Sequence, residues 1–183
     1  ELNNEVTKRG DNGFFRLEKD QEAIAEFLRE VDYKTVKFSS EIKRLRYLVE
    51  ENYYYNIFDK YIEDEIVECL ELAANYKFEF KSYMAASKFY KDYALKTNDK
   101  KQYLENYNQH VFIVAMYLAD GNVSLAKELM ISMLEQRVQP ATPTFLNSGR
   151  SRRGELVSCF LLEVGDSLNS INYIDSTAKQ LSK

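Results

Sequence analysis

The chain reads as mainly α: a succession of helices and then, past a sharp break, one strand and one further helix. Three observations predict this. From Asp20 to about Arg137 the apolar residues recur at helical spacing with only short polar interruptions. The two prolines, Pro140 and Pro143, sit together directly behind that block. The run Leu156 to Val164, with Gly154 before it and Gly165 after it, is too apolar and too short for an exposed amphipathic helix, and it reads as a strand buried on both faces.

Asp20 precedes Ile24, Phe27, Leu28 and Val31, which share one helix face, and Ser39 or Ser40 precedes Ile42, Leu45, Leu48 and Val49 in the same way. A tyrosine-rich connector, Tyr53 to Phe58, leads into a helix over residues 62–74, where Ile66, Cys69, Leu70 and Ala73 point together. Helices follow over residues 83–94 and 102–119. After the turn Asp120-Gly121 comes another, capped by Asn122, with Leu125, Leu129 and Met133 inward. The prolines forbid helix continuation and push Gln139 and Thr142 toward extended geometry. The domain boundary is therefore placed near Gln139, giving a helical domain over residues 1–138 and a second unit over 139–183. Asn147 to Gly154 is a turn-rich, basic connection, and Gly165-Asp166 turns the chain so that Asp166 can cap a final helix toward Lys183. That helix ends with the chain and not with a stop signal, which reads as a truncation.

Composition narrows the function classes. Apolar residues make up 45% and charged ones 30% of the 183 residues, the balance of a soluble globular chain. A formal net charge of -4 gives no field to recruit nucleic acid or an anionic membrane. No apolar run approaches the roughly 20 residues of a membrane span, and the polar start Glu1 to Gly13 is no signal peptide, so a cytoplasmic location is expected. Cys69 and Cys159 are too far apart in sequence for a disulfide scaffold or a zinc motif, and no metal site is expected.

Cys159 is the sharpest candidate. As a residue type it reads either as a buried small hydrophobe or as a reactive thiol in front of a helix start. Asp166 reads as a plain cap, or as part of an anion site at the same helix start. The cluster Arg150, Arg152 and Arg153 suits phosphate, but a short charged loop is usually only solvated, and that reading is preferred. The 14 tyrosines at helical spacing read as core edges, and His110 and Cys69 as structural.

The passage from Gln139 to Ile171 carries more than chemistry of single residues. Its Pro140-Ala141-Thr142-Pro143-Thr144, Ser148-Gly149-Arg150, Gly154-Glu155-Leu156-Val157-Ser158-Cys159-Phe160 and Gly165-Asp166-Ser167-Leu168-Asn169-Ser170-Ile171 resemble the large catalytic subunit of class I ribonucleotide reductases, most closely the class Ib branch. The resemblance implies an N-terminal helical domain followed by the first strand and helix of a ten-stranded α/β barrel. It implies reduction of ribonucleoside diphosphates to deoxyribonucleoside diphosphates by thiyl-radical chemistry. Cys159 would protonate the departing 2′-hydroxyl of the ribose and end the cycle in a disulfide with a second barrel cysteine. Thr142 and Ser158 would hold the substrate nucleotide, and Asp166, Ser167 and Leu168 an ATP or deoxynucleotide effector.

The partners implied are a small radical-generating subunit holding the metal-radical cofactor, a redoxin reductant and a second large subunit, with no cofactor in this chain. The same resemblance puts the radical-bearing cysteine, the second redox cysteine and the radical-relay tyrosines beyond residue 183, so the chain alone is expected to be inactive. The last helix resembles one that pairs across the reductase dimer, which would turn its stripe Leu168, Ile171 and Ile174 to the partner; the competing reading is a non-enzymatic helical interaction or dimerisation module whose C-terminal strand and helix form the docking element.

Overall fold

The helical period is realised as eight α-helices among the residues that the computed structural model describes, 7–9, 15–17, 19–152 and 154–182. A short antiparallel pair, β1 (Thr7–Arg9) and β2 (Phe15–Leu17), precedes them. α1 (Lys19–Tyr33) begins one residue ahead of Asp20 and turns Ile24 and Val31 inward, as their spacing predicts. α2 (Glu41–Glu50) starts where Ser40 accepts the Lys43 amide and buries Leu45 and Leu48. α3 (Glu63–Asn75) buries Ile66, Cys69, Leu70 and Ala73, the four residues the sequence puts on one face. α4 (Tyr83–Lys88) widens into a π-helical stretch over Phe89–Tyr93 before the chain breaks at Ala94.

α5 (Tyr107–Ala119) is the axis of the domain. Val111 through Met116 are six consecutive residues at 0% exposure, so over that stretch the helix is packed on all sides. Asp120 takes a left-handed conformation, Gly121 follows at φ 96°, and the chain returns as α6 (Val123–Leu134), capped by the Asn122 side chain on the Leu125 amide. α3 packs against both. Side chains close the seams: the Tyr61 hydroxyl donates to the Met116 carbonyl at 2.8 Å, and Asn108 Nδ2 donates to the Ala73 and Tyr76 carbonyls that end α3.

Several expectations are corrected. α5 starts at Tyr107 and not at Gln102, because Tyr103 is drawn between two extended segments: its carbonyl takes the Val36 amide, its amide reaches the Lys34 carbonyl, and Leu104 N donates to Leu95 O. On α6 the inward face is Ala126, Met130 and Met133, with Leu125 turned out. Thr142 is helical and not extended, since α7 (Thr142–Asn147) begins just there. Pro143 occupies its second position, where a missing N–H costs nothing because that group has no intrahelical acceptor. α8 (Leu168–Leu181) forms as expected, but its cap is Ser167, whose hydroxyl accepts the Ser170 amide, and not Asp166.

The largest correction is the strand. Residues 156–164 form no ladder; Phe160 is 58% and Leu161 fully exposed, and among the described residues no hydrogen bond engages 157–164. An isolated strand cannot satisfy its backbone, and β1 and β2 pair only with each other. The chain is accordingly mainly helical, and no part of a barrel is formed among these residues.

Gly149 is the most closely packed of the described glycines. At φ 79° it lies against α5, and a Cβ there would sit 2.6 Å from Ile113 Cγ1. Left-handed strain and the forced displacement together predict that Gly149→Ala lowers stability by about 2–4 kcal/mol in denaturant unfolding. A change within about 0.5 kcal/mol, the range of an ordinary surface substitution, would contradict the close packing.

Candidate functional site

α7 is the structural start of the motif-bearing region, and its own side chains hold residues 154–156 in place. Thr144 Oγ1 donates to the Leu156 carbonyl at 2.9 Å, Asn147 Nδ2 donates to the Glu155 carbonyl at 2.9 Å, and Asn147 Oδ1 accepts the Gly154 amide at 3.3 Å. The Thr142 hydroxyl lies 3.1 Å from the hydroxyl of Tyr93, at the end of the π-helical stretch. The loop after α7 is stitched to the tyrosine connector by backbone pairing, with Tyr55 N donating to Gly149 O and Ser151 N to Tyr53 O.

Beneath α7 lies a buried ionic cluster, with Arg150 at its partly exposed edge. Glu105, one residue ahead of the α5 cap Asn106, receives four donors: the Tyr54 hydroxyl, the Leu95 amide at 2.7 Å, His110 Nδ1 at 2.9 Å and an Arg150 guanidinium nitrogen at 3.1 Å. The same Arg150 nitrogen donates to the Tyr93 carbonyl. His110 Nε2 faces the Phe145 carbonyl of α7 at 2.8 Å, and the His110 ring meets the Phe145 ring edge to face at 4.5 Å. Both imidazole nitrogens thus confront acceptors. A carbonyl accepts only from an N–H, and so does an ionised carboxylate, so the geometry fits a His110 ring that donates from both nitrogens.

Burial pushes the Glu105 carboxyl upward, but the His110 charge and hydrogen bond, then Arg150 and Tyr54, overcome it and hold the group down at about 2. Burial, then the Glu105 charge, push the Tyr54 phenol well above its usual value, so it stays a donor. Arg44 stands beside the cluster, buried, donating to Glu41 at 2.9 Å and to the Leu104 carbonyl at 3.4 Å.

The residues singled out in the sequence fall into three places. Thr142 is anchored on the helical body. Ser158 and Cys159 are exposed on the unpacked segment, so the thiol is neither buried nor set in a strand. Asp166, Ser167 and Leu168 are exposed at the start of α8, and no hydrogen bond joins the three groups among the described residues. Arg152 is exposed as a solvated loop requires, Arg150 is not, and Arg153 lies outside the described residues. His110 and Cys69 are both buried. Sequence reasoning missed Glu105 and the contacts of Arg150 with it and with the Tyr93 carbonyl. The available signal was a lone histidine inside an otherwise apolar helix with a carboxylate five residues before it.

Two family profiles match the chain: "Ribonucleotide reductase N-terminal" over residues 1–78 and "Ribonucleotide reductase, all-alpha domain" over residues 79–153. The ribonucleoside-diphosphate reductase NrdEB subunit alpha of Bacillus subtilis (strain 168) is 50% identical over 184 residues, covering 100% of this chain and 17% of that protein. The chain belongs to the ribonucleotide reductase large-subunit family. A second ribonucleoside-diphosphate reductase subunit alpha of the same organism is 49% identical over 100% of this chain and 26% of its own length. That of Mycoplasma pneumoniae is 44% identical over 93% of this chain and 24% of its own length. The chain therefore spans about a sixth to a quarter of these reductase subunits. Among its described residues no helix is long and apolar enough to cross a membrane.

Because the folded carboxyl is held below its unfolded value, the Glu105 contribution is complete above the usual carboxylate pKa of about 4.3 and is lost as pH falls toward about 2. Glu105→Gln should flatten that acid limb and, by leaving cations buried without their counter-charge, cost about 3–5 kcal/mol at neutral pH. Denaturant titrations of both proteins between pH 7 and pH 2 check both statements.

Proposed function

We propose that the chain is the N-terminal part of a class Ib ribonucleotide reductase large subunit, which reduces ribonucleoside diphosphates to deoxyribonucleoside diphosphates for DNA precursor synthesis. The observation that carries this reading is the near-half identity to reductase alpha subunits along the whole chain, including the thiol-bearing segment beyond the helical profiles. On this reading residues 1–138 are the helical domain and residues 139–183 open the catalytic barrel. The exposed segment 156–164 supplies the first barrel strand once neighbouring strands receive its backbone.

Each site residue then has a role that its chemistry suits. Cys159 is a free, accessible thiol, whereas burial of Cys69 raises that thiol's pKa and withholds it. The Cys159 thiol can give its proton to the departing 2′-hydroxyl, and later surrender an electron, with a second thiol surrendering another, as the disulfide forms. Thr142 and Ser158 offer hydroxyls to the substrate diphosphate and ribose. Asp166, Ser167 and Leu168 stand at the start of the 14-residue α8, where free amides and the helix dipole favour a phosphate of the ATP or deoxynucleotide effector.

The outward apolar residues of α8, Leu168 and Ile171, suit pairing with a second large subunit. The metal-radical cofactor belongs to the small partner subunit, and a redoxin returns the thiols to the reduced state. Among the described residues here no cluster of His, Cys, Asp and Glu suits a metal ion.

In the full-length enzyme with its small subunit, Cys159→Ser should abolish turnover while substrate still binds; retained activity would remove the redox role. Asp166→Ala should weaken effector binding in isothermal titration by about tenfold or less, the loss of one charge-assisted contact. Unchanged effector affinity would withdraw that assignment. A helical interaction module would be indifferent to both substitutions.

A further inference from the structure

We propose that Glu105, His110 and Arg150 are positioning residues for substrate: a buried ionic clamp that fixes the loop 142–150, and with it Thr142, against the helical domain. The inference rests on the reading of Thr142 as a substrate contact. Its own grounds are geometric. α7 is only six residues long, too short to be stable by itself, so something outside it must hold its place. His110 Nε2 supplies a donor to the Phe145 carbonyl, one of the last-turn carbonyls that a helix leaves unsatisfied. Phe145 is buried against the His110, Tyr93 and Tyr107 rings. Arg150, at the far end of the loop, joins Glu105 to the Tyr93 carbonyl, and Tyr93 in turn places its hydroxyl on Thr142.

The middle of the loop, at Phe145, and its far end, at Arg150, are therefore tied to one carboxylate, the first through His110 and the second directly. The arrangement has a direction. His110 can serve Phe145 and Glu105 together only with both ring nitrogens protonated, and Arg150 reaches its two acceptors from one nitrogen of its planar guanidinium. Neutralising Glu105 or removing His110 releases the loop while the apolar face of α5 against α3 and α6 stays packed. Such a cluster orders a substrate-binding element without touching the reacting atoms.

The test uses the full-length reductase subunit with its small partner, comparing unmutated protein with His110→Gln and Arg150→Lys. Lysine keeps a charge beside Glu105 but gives up the rigid guanidinium plane that aims one nitrogen at both acceptors, so it stays informative where His110→Gln folds poorly. Amide hydrogen exchange is followed over residues 142–150 and over α3, α5 and α6, and steady-state kinetics are measured with a ribonucleoside diphosphate. Loss of a hydrogen bond to a charged group should speed exchange in 142–150 about tenfold or more and raise substrate KM by a similar factor, with kcat within about twofold. Protection in α3, α5 and α6 should be kept.

Exchange rising equally in α3, α5 and α6, or unchanged exchange and KM, would overturn the clamp in favour of a general stabilising role. A loosened loop with unchanged KM, while Thr142→Ala raises KM, would overturn the link to substrate. If Thr142→Ala also leaves KM unchanged, the substrate role of Thr142 falls and takes the inference with it, whereas the loosened loop shows that the fastening itself exists.

Discussion

A single carboxylate taken out of water governs how this chain can fold. An ionised side chain without partners is prohibitively expensive in the interior, so Glu105 is admissible only where its donors arrive with it. They come from the tyrosine connector (Tyr54), the turn after the π-helical stretch (Leu95), the central helix (His110) and the loop after α7 (Arg150). Four separate stretches of chain are thereby brought to one point. A displaced register in any of them leaves a buried charge short of a partner. This is a demand for specificity more than a source of net stability, since buried ion pairs seldom outperform well-packed apolar substitutes.

Net stability is supplied by the apolar packing around α5. Val111 to Met116 are wholly enclosed, and each fully buried large side chain contributes on the order of 1.5–3 kcal/mol relative to exposure. The aromatic cluster Phe78, Phe80, Phe89, Tyr90 and Tyr107 fills the other flank with mostly edge-to-face contacts and one stacked pair, Phe78 on Tyr107. Many of the chain's tyrosines are thus explained as packing surface with a polar tip, in keeping with their helical spacing. The apolar shell and the ionic centre are complementary: the first makes burial favourable, the second fixes which burial is accepted.

Much of this is legible in the residues. Periodicity locates α1, α2, α3, α6 and α8, and the caps at Ser40 and Asn122 follow directly from local hydrogen-bond chemistry. Pattern and structure part where a distant segment competes with a local preference. Tyr103 is pulled out of a helical pattern by pairing with residues 34–36 and 95–97, the first of them far away along the chain. Pro143 reads as a helix stop, although a proline at the second position opens a helix as readily as it ends one. Asp166 and Ser167 are both good caps, and the choice between them is decided by Ser170, whose hydroxyl takes the Gly165 amide at 2.7 Å while its own amide goes to Ser167. The ionic cluster is illegible for a deeper reason: the sequence shows that His110 stands alone, but not that Glu105, Tyr54 and Arg150 converge on it.

The segment from Leu156 to Val164 carries a consequence for synthesis and handling. Short apolar stretches with unpaired amides and carbonyls recruit other extended backbones, including those of identical molecules, and assemble into intermolecular β-structure. Here charged side chains bracket the stretch, Glu155 at one end and Glu163 near the other, both solvent-facing. Such gatekeepers repel neighbouring copies electrostatically. Two acidic residues outside the folded core thus oppose self-association of this apolar stretch.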